Sequence, residues 1–416
     1  MERVTKPAVV QVCPFVPAPP TDGGRVVVWH RLKALSQHLD IHLVCPCDEQ
    51  DGVARSSLER QLLELGLCSV HFVPVPPSPV HRGAKAVGLL RDMSCSSLSV
   101  VQRMRLRCVA DTAARIAMIH AARTILVEIF STALPLLGRC PEGTKLLAVE
   151  QNVESRLMAD LARFRDQSWL RRRWAACESR KCVRAGRKVY PHLARVGFLS
   201  SVDLGHFRKL GWNSRLTVLP VILPLPPAPK IDFRSTGRIA FFGTLGFYPN
   251  AEGLLWFLRD VWPSVRVRRP DTTCVIPGAL SDLVPRSRKA IPDPELIGVQ
   301  FHPGMDRATA DGLLAQCDAC VSPIRLGSGI KIKNLIAMGL GVPLVATPES
   351  MAGIDVHTGH HCLVAGDAES FASSVIRLLE EEDLRRRLST GARDWFVRNV
   401  ASGTSVESWL RFIAEA

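Results

Sequence analysis

Short runs of β-branched and aliphatic residues alternate with segments of helical periodicity from the start of the chain. The first are a strand-like run at Ala8–Val12, a helical segment at Gly24–Leu39 and a second strand-like run at Ile41–Pro46. This order is typical of a βαβ unit, whose two strands pair in parallel. The same pattern predicts further strands at Val70–Val75, Thr124–Ile129, Lys145–Glu150, Val196–Ser200 and Leu216–Leu219. We therefore expect a parallel sheet in the first half of the chain.

The alternation stops at Pro220, where PVILPLPPAP holds five prolines in ten residues. Proline fixes φ and lacks an N–H group, so this stretch favours an extended connector over a helix. A second series of strands is predicted at Arg238–Phe242, Thr273–Ile276, Val299–His302, Ala319–Ser322 and Pro343–Ala346.

Two doubly wound α/β domains follow from these two series. We predict a first domain over residues 1–219, a linker over 220–233 and a second domain over 234–394. A helix within 395–416 is expected to cross back to the first domain. Such sheets bind ligands at the carboxyl ends of their strands, so we expect the site in a cleft between the domains.

Composition excludes several classes of protein. The 416 residues are 47% hydrophobic and 22% charged, which rules out disordered, collagen-like and small disulfide-stapled chains. The apolar run near the start breaks at Pro14, too soon for a secretory signal. The near-apolar stretch Ile116–Leu137 carries His120, Arg123 and Glu128, so we predict no transmembrane helix and a cytoplasmic protein.

Positive charge is concentrated in the middle of the chain. Residues 151–230 hold 16 Lys and Arg against 5 Asp and Glu, within a total net charge of +14. This indicates an anionic partner, although the chain has no nucleic-acid-binding motif and only two tyrosines, so nucleic acid is not expected. Residues 166–188 form a basic amphipathic helix with apolar residues at 170, 174 and 177. This helix either packs with a solvated cationic face or docks peripherally on an anionic membrane or lipid phosphate.

The cysteines and histidines do not predict a metal site. The thirteen cysteines lack repeated C-x-x-C pairs, which is typical of reduced thiols in a cytosolic chain. Cys45 and Cys47 near His42 fit burial beside a strand end, and the group from His357 to Cys362 lacks regular ligand spacing.

Two glycine turns are candidate anion sites. Gly23 and Gly24 precede a helix beside Arg25, where backbone N–H groups can hold a phosphate or carboxylate or simply form a strand-to-helix turn. A buried strand also runs into Gly327–Gly329, followed by a helix that carries Lys331 and Lys333. This second turn suits a diphosphate, with Arg325 supplying further charge, and the alternative is a solvated basic first turn.

Five blocks in order resemble a family 4 glycosyltransferase of the GT-B fold, closest to sugar transferases of bacterial polysaccharide and cell-surface glycan pathways. The blocks are PAPPTDGGR from Pro17, EQNVESRLMADL from Glu150, FFGTLGFYPNAEGLLWF from Phe241, PIRLGSGIKIK from Pro323 and GVPLVATPESMAGI from Gly341. The resemblance implies two Rossmann-like domains facing a central cleft.

The same resemblance implies a retaining, metal-independent transfer without a cofactor, from a nucleotide-diphosphate sugar to a hydroxyl acceptor. The acceptor, whether glycan, lipid-linked or a small molecule, would lie on the first domain, and the donor on the second. The implied catalytic residues are Gln151, Arg325 and Lys331. The implied donor- and anion-binding residues are Gly23, Gly24, Arg25, Gly243, Gly278, Gly304, Gly327, Ser328, Gly329, Lys333 and Ile336.

Two of these positions depart from the family pattern. Gln151 stands where the family has a histidine that is expected to contact the transferred sugar, so hydrogen bonding is kept and titration is lost. Ile336 stands at the second glutamate of the family's paired-glutamate motif, and Ser328 at the first. These changes leave open a catalytically degenerate protein that binds a glycan or a partner. A sugar-nucleotide epimerase is a further alternative.

Two residues near the predicted site have structural interpretations. Asn250 is predicted as the N-cap of a helix over Ala251–Leu258, with a site role second. His302, at a strand end, is interpreted as a hydrogen-bonded core histidine, with contact to a base or sugar as the alternative.

Overall fold

The computed structural model describes residues 6–48, 52–75, 82–99, 106–164, 167–211, 215–227, 233–283, 296–401 and 403–415. The chain divides into two compact units. The first comprises Met1–Leu223 together with Gly403–Ala416, and the second comprises Pro224–Ser402.

The described part of the first unit contains a seven-stranded parallel sheet in the order β3-β2-β1-β4-β5-β6-β7. Its strands are β1 Ala8–Val12, β2 Asp40–Asp48, β3 Ser69–Val75, β4 Thr124–Glu128, β5 Lys145–Glu150, β6 Arg195–Phe198 and β7 Leu216–Val218. Its helices are α1 Gly23–Leu35, α2 Gly52–Leu63, α3 Arg82–Ser94, α4 Leu106–Ile119, α5 Phe130–Ala133, α6 Glu154–Arg163, α7 Trp169–Val189 and α8 Ser201–Lys209. Helices cover both faces of such a sheet, which is why its central strands are almost wholly apolar.

The second unit repeats this design with a six-stranded parallel sheet, within its described residues, in the order β10-β9-β8-β11-β12-β13. Its strands are β8 Arg238–Phe241, β9 Thr273–Pro277, β10 Val299–His302, β11 Ala319–Ser322, β12 Leu344–Ala346 and β13 Leu363–Val364. Its helices are α9 Tyr248–Trp256, α10 Trp262–Arg268, α11 Arg307–Ala315, α12 Ile332–Gly339, α13 Pro348–Met351, α14 Ala368–Glu380 and α15 Glu382–Asn399. A π-helical turn over Phe257–Val261 joins α9 to α10.

The α/β class with two Rossmann-like sheets, predicted from sequence, is confirmed. Every predicted strand is present within one or two residues of its expected ends. Strand β13 was missed because two residues are too few to show a period.

The unit boundaries differ from the sequence prediction at both ends of the second unit. Pro220–Leu223 lie with the first unit rather than in the predicted linker, of which residues 228–232 lie outside the described residues. The predicted boundary after residue 394 falls inside α15, which continues to Asn399. The last helix, α16 Thr404–Ala414, belongs to the first unit, and its Trp409 Nε1 donates to the Pro220 carbonyl over 2.8 Å.

None of the described helices is both long enough and apolar enough to cross a lipid bilayer.

Candidate functional site

The glycine turn of the second unit lies between β11 and α12. Gly327 and Gly329 have φ angles of +100° and +78°, a region that side-chain-bearing residues avoid. Lys331 folds back on the turn, where its Nζ donates to the carbonyls of Ser328 over 3.2 Å and Gly329 over 2.8 Å. The lysine thereby fixes the turn at the start of α12. Its positive charge stays beside the backbone N–H groups of the helix N-terminus, a combination that suits an anion.

Lys333 lies two residues further on, within α12, and its side chain reaches the connection between β8 and α9. Its Nζ donates to Asn250 Oδ1 over 2.9 Å and lies 5.1 Å from the centre of the Phe241 ring. Asn250 Nδ2 in turn donates to the Thr244 carbonyl over 2.9 Å. The predicted N-cap role of Asn250 is wrong, because α9 begins at Tyr248 and Phe247 occupies the cap position. Asn250 instead ties Lys333 to the loop after β8.

The side chains of Asn250 and Lys333 occupy the space beside Gly243, which has no side chain of its own. A Cβ atom at residue 243 would lie 2.8 Å from Asn250 Nδ2 and 3.2 Å from Lys333 Nζ, and φ there is +154°. Glycine is therefore required by both contact and backbone conformation. The resemblance implied a donor-site role for Gly243, and the structure places it against Lys333.

Burial lowers the pKa of Lys333 to about 7, with a further lowering from Lys331 and an opposing effect from Cys320. Its Nζ donates to the neutral side-chain amide of Asn250. A lysine in such surroundings gains an anionic partner only after it takes up a proton. A phosphate bound beside Lys333 would favour its protonated, charged form.

Arg325 follows β11 and is paired within its own unit. Its guanidinium forms a salt bridge with Glu252 of α9 and stacks over the Trp256 ring, with Cζ 4.9 Å from the ring centre. The side chain remains 41% exposed. The structure therefore brings Arg325 to the edge of the turn and gives it a carboxylate partner that the sequence reasoning missed.

A network of buried polar side chains connects α12 to the segments that follow β11 and β12. Asn334 of α12, which is fully buried, donates to the Ser350 carbonyl over 2.8 Å and to Ser350 Oγ over 3.0 Å. Ser350 Oγ is also 2.6 Å from Ser322 Oγ at the end of β11, and Thr347 Oγ1 donates to the Ile324 carbonyl. These bonds join the ends of β11 and β12 to α12. They restrain the backbone at the start of α12, where Lys331 and Lys333 lie.

The remaining positions predicted in this unit are more dispersed. Ile336 is 7% exposed in α12, and its hydrocarbon side chain has no atom that can accept a ribose hydroxyl. Gly278 follows β9 and donates its N–H to the His302 carbonyl over 2.8 Å, while Gly304 is exposed after β10. The interpretation of His302 as hydrogen-bonded is wrong for its Nε2, which is inaccessible and has no hydrogen-bond partner among the described residues.

In the first unit, Gly23 and Gly24 open α1, as the sequence predicted for a glycine turn before a helix. Asp22 caps the helix by accepting from the Arg25 backbone N–H over 3.0 Å. The Arg25 side chain pairs with the same aspartate and donates its Nε to the Val16 carbonyl over 3.0 Å. This pairing offsets the cation that was expected to attract an anion. The turn is therefore less basic than its sequence indicated.

Gln151 lies directly after β5 and packs against this turn. A Cβ atom at residue 24 would lie 2.9 Å from Gln151 Oε1, so a larger residue there would displace the Gln151 amide. Gln151 Nε2 donates to Glu128 Oε2 over 3.0 Å at the end of β4. Glu128 Oε1 accepts from Gln11 Nε2 over 3.1 Å and from Arg31 of α1. The structure thus brings Gln151 and Gly24 together, and it adds Glu128, which sequence reasoning used only as an argument against a membrane helix.

Two further carboxyl groups of the first unit, Glu150 and Glu154, are near Gln151 in sequence. Burial raises the pKa of Glu150 well above its ordinary value, with a contribution from Glu154, against lowering hydrogen bonds from the Tyr190 hydroxyl and the Phe130 N–H. Burial, with Glu178 adding, raises the pKa of Glu154 to about 7. These glutamates therefore hold protons in the folded state at pH values where the unfolded chain has lost them.

We expect Glu150→Gln to raise the melting temperature at pH 8 and to change it little at pH 4. A carboxyl whose folded pKa is raised contributes stability below its unfolded pKa, and this is lost as pH rises through the folded pKa. The amide removes that loss and keeps a carbonyl oxygen for Tyr190 and Phe130. Thermal unfolding across pH 4–8 checks this, with the surface variant Glu381→Gln as control. A larger gain at pH 4 than at pH 8 would contradict it.

The basic helix predicted over residues 166–188 is α7, which begins at Trp169; residue 166 lies outside the described residues. Its buried face differs from the prediction, since the apolar residues at 170, 174 and 177 are only half-buried. The buried face is formed instead by Ala175, Glu178, Lys181, Cys182, Ala185, Gly186 and Val189. Trp169 is 70% exposed, and Arg171 and Arg173 beside it are exposed as well.

Comparison with solved structures identifies the fold. The chain superposes on sucrose-phosphate synthase from Thermosynechococcus elongatus with a TM-score of 0.72, 12% identity and coverage of 99% of both chains. It superposes on HepE of Anabaena, solved in complex with UDP and glucose, with a TM-score of 0.64, 12% identity and coverage of 98% of this chain and 100% of that one. The chain has the GT-B fold.

Two sequence comparisons agree with the GT-B fold of this protein. Residues 236–381 match the family model of Glycosyl transferases group 1. A protein described as an uncharacterized 44.6 kDa protein in the cps region of Klebsiella pneumoniae is 30% identical over 163 residues. That alignment spans 38% of this chain and 40% of the relative. Residues 236–381 are therefore similar to group 1 glycosyltransferases, which agrees with the glycosyltransferase resemblance drawn from the sequence.

Proposed function

We propose that this protein transfers a sugar from a nucleoside-diphosphate sugar to a hydroxyl acceptor. The observation that carries the proposal is the turn of the second unit, where Gly327–Gly329, Lys331 and Lys333 surround the start of α12. The stretch that matches the group 1 model, residues 236–381, includes all of these residues. HepE, which shares the fold, was solved with UDP and glucose, and this supports a donor of the same class.

The physical task of this turn is to stabilise the leaving group. When the bond between the sugar and the diphosphate breaks, negative charge grows on the nucleotide. Backbone N–H groups and cations fixed in advance bind this charge more strongly in the transition state than in the ground state. Lys331 and Lys333 are both held by hydrogen bonds, so little reorganisation is needed.

We further propose that the transfer retains the configuration of the sugar and needs neither a metal nor a cofactor, as family 4 membership would imply. The described residues contain no group of three or more His, Cys, Asp or Glu side chains placed to hold a metal ion. The two lysines can supply the positive charge that a metal supplies elsewhere. Transfer should persist in EDTA, and NMR of the first-formed product should show the anomer of the donor. An inverted product would contradict the proposal of retention.

The activity itself is tested with a panel of nucleotide sugars. The purified chain is incubated with UDP-, GDP-, ADP- and TDP-sugars, and release of the nucleoside diphosphate is measured with and without hydroxyl acceptors such as simple glycosides and polyprenol phosphates. We expect release from one donor class, and loss of that release in the Lys331→Ala/Lys333→Ala double variant, which should still unfold in one cooperative transition. Full turnover by the double variant would contradict the assignment of the turn.

A catalytically degenerate GT-B protein that binds a glycan or partner is the second candidate. It is favoured by Ile336, which offers no carboxylate for a ribose hydroxyl, and by Gln151, which cannot titrate. A carboxylate–hydroxyl hydrogen bond is worth roughly 1.5–3 kcal/mol, so its absence weakens binding about ten- to a hundredfold. If the wild type released no nucleoside diphosphate from any donor of the panel but still bound a nucleoside diphosphate, this candidate would be favoured.

We also propose a cytoplasmic protein that contacts an anionic membrane surface through α7. The exposed Trp169 with Arg171 and Arg173 is a cationic patch with an aromatic anchor, a composition that favours the interface of a negatively charged bilayer.

Vesicle flotation tests this contact. Vesicles with anionic lipids should carry the protein upward at low salt and release it as salt rises, because screening weakens exposed charge pairs. Arg171→Glu/Arg173→Glu should abolish flotation. The matched control, Arg386→Glu/Arg387→Glu, makes the same change of net charge on α15 of the second unit and should float normally. Equal loss in both variants would show a dependence on net charge alone.

A further inference from the structure

An open cavity of about 450 Å³ lies in the first unit, at the end of the sheet where β5 and β6 begin. Three segments line it: residues 136–138 with Cys140, residues 144–146 and residues 191–194. Sites for small molecules have volumes of about 300–1,000 Å³. Gln151 follows the opposite end of β5, about 20 Å away at a strand rise of about 3.3 Å per residue. The cavity is therefore remote from the residues assigned to the proposed transfer.

Both walls of the cavity are bonded to the same buried carboxyl group. One wall begins at Phe130, whose backbone N–H donates to Glu150 Oε1 over 2.9 Å, and it continues into the 3₁₀ turn Leu134–Leu136. The opposite wall is the 3₁₀ turn Tyr190–His192, and the Tyr190 hydroxyl donates to the same oxygen over 3.1 Å. These bonds hold the two walls at a fixed separation. The cavity is therefore formed before any ligand binds.

The lining combines an apolar floor with a positively charged rim. The side chains of Leu136, Leu146 and Leu193 are buried at the floor. Lys145 and His192 are exposed at the edge. The lysine contributes its charge to the rim whatever bonds it makes within the chain. None of the described residues that line the cavity is acidic. Such a lining favours a molecule with a hydrocarbon part and an anionic group.

We propose that this cavity is a ligand site for a small amphipathic anion. The hydrocarbon part of the ligand lies against the leucines of the floor, and its carboxylate or phosphate group lies at the rim beside Lys145 and His192. The inference goes beyond the proposed function and does not depend on it, because this binding needs neither a sugar donor nor an acceptor.

Octanoate is the probe for this site, and octanamide is its matched neutral control. Isothermal titration calorimetry of the full chain should give a dissociation constant of about 1 mM or lower for octanoate. Octanamide should bind about three- to tenfold more weakly, because it keeps the shape and loses the charge. Octyl phosphate is titrated in parallel, and the tighter of the two anions identifies the head group. Equal affinities for octanoate and octanamide would overturn the assignment of an anion.

Cys140 reports whether the probe occupies the cavity. Its half-buried thiol belongs to the lining and donates to the Leu136 carbonyl over 3.5 Å. Alkylation by iodoacetamide, followed by peptide mass spectrometry, should slow about tenfold at about ten times the dissociation constant of octanoate, because only the unoccupied fraction reacts. The exposed Cys108 is the internal control and should react at an unchanged rate. Octanoate binding that leaves Cys140 unprotected, or that protects both thiols equally, would overturn the location.

Ala194→Leu tests the location by filling the cavity. Ala194 is half-buried in the lining, and its backbone N–H donates to the Leu146 carbonyl over 2.9 Å, a bond that the larger side chain leaves in place. Octanoate affinity should fall about tenfold or more, because the added atoms take the space of the ligand. The matched control, Ala308→Leu, makes the same change at an exposed position of α11 and should bind as the wild type does.

Lys145→Met/His192→Gln tests the rim in the same titrations. The affinity for octanoate should fall to that for octanamide, while the affinity for octanamide should stay at the wild-type value, since only the charge and the imidazole are lost. Wild-type affinity for octanoate in this variant and in Ala194→Leu would overturn the proposal.

Discussion

Replacing Lys333 with methionine lowers the affinity for a nucleoside diphosphate by about 10- to 100-fold at pH 6.5, the value of a charged hydrogen bond. Methionine keeps the hydrocarbon packing against Phe241 and loses only the ammonium group, so the fold should be preserved. Isothermal titration calorimetry of both proteins measures the difference.

The pH dependence of binding makes this result specific to Lys333. Its pKa of about 7 in the free protein means that binding to a phosphate needs proton uptake above neutrality. Wild-type affinity should therefore fall by up to about tenfold per unit above pH 7, while Lys333→Met removes this step. Titrations in buffers of different ionisation enthalpy should show the proton taken up.

Lys331→Met is the matched control, because it makes the same change of charge in the same turn. Lys331 bonds the carbonyls of Ser328 and Gly329, so its loss should also weaken binding through the turn. The pH step should remain, since Lys333 is still present. If the pH step disappeared in Lys331→Met and persisted in Lys333→Met, the titrating group would be Lys331, which would contradict the account.

Gly243→Ala is the second substitution with a large expected effect. The new Cβ would come within 2.8 Å of Asn250 Nδ2 and 3.2 Å of Lys333 Nζ, at a φ of +154°. We expect the Lys333–Asn250 hydrogen bond to break and the melting temperature to fall, with a loss of about 1–3 kcal/mol from backbone strain and crowding. Nucleotide affinity should fall with it.

Gly359→Ala separates crowding from conformational strain. Gly359 also has a positive φ, +80°, but a Cβ there meets no atom within 4 Å. This variant should lose about 1–2 kcal/mol from its backbone alone. Differential scanning calorimetry and diphosphate titration compare the two. Equal effects on nucleotide affinity would show that Gly243 does not act through Lys333.

The strands were predictable because parallel strands are buried on both faces and read as continuous apolar runs. The glycine turns were predictable because glycine before a helix has a local signature. Strand β13 and the end of α15 were not predictable. Strand β13 is only two residues long, and α15 continues to Asn399 with no change in its helical pattern of residues at the predicted boundary.

The partners of the site residues were beyond sequence reasoning. Asn250 and Lys333 are 83 residues apart, and Glu128 and Arg31 are 97 residues apart, so only the folded sheet brings them together. Asn250 was taken for an N-cap because asparagine favours that position, whereas the helix begins two residues earlier at Tyr248, with a proline next to it. One signal was available for Glu128. A charged residue ends the otherwise apolar strand TILVE, and a buried charge must have a partner.

The central claim is that the turn of the second unit binds a nucleoside diphosphate, and direct titration tests it most simply. The purified chain is titrated with UDP, GDP, ADP and TDP at pH 6.5, by calorimetry and by thermal shift. We predict a response to one of them, with stabilisation of about 2.7 kcal/mol at a hundredfold excess over the dissociation constant, and loss of the response in Lys333→Met. No response to any of the four, in a chain that unfolds cooperatively, would contradict the account.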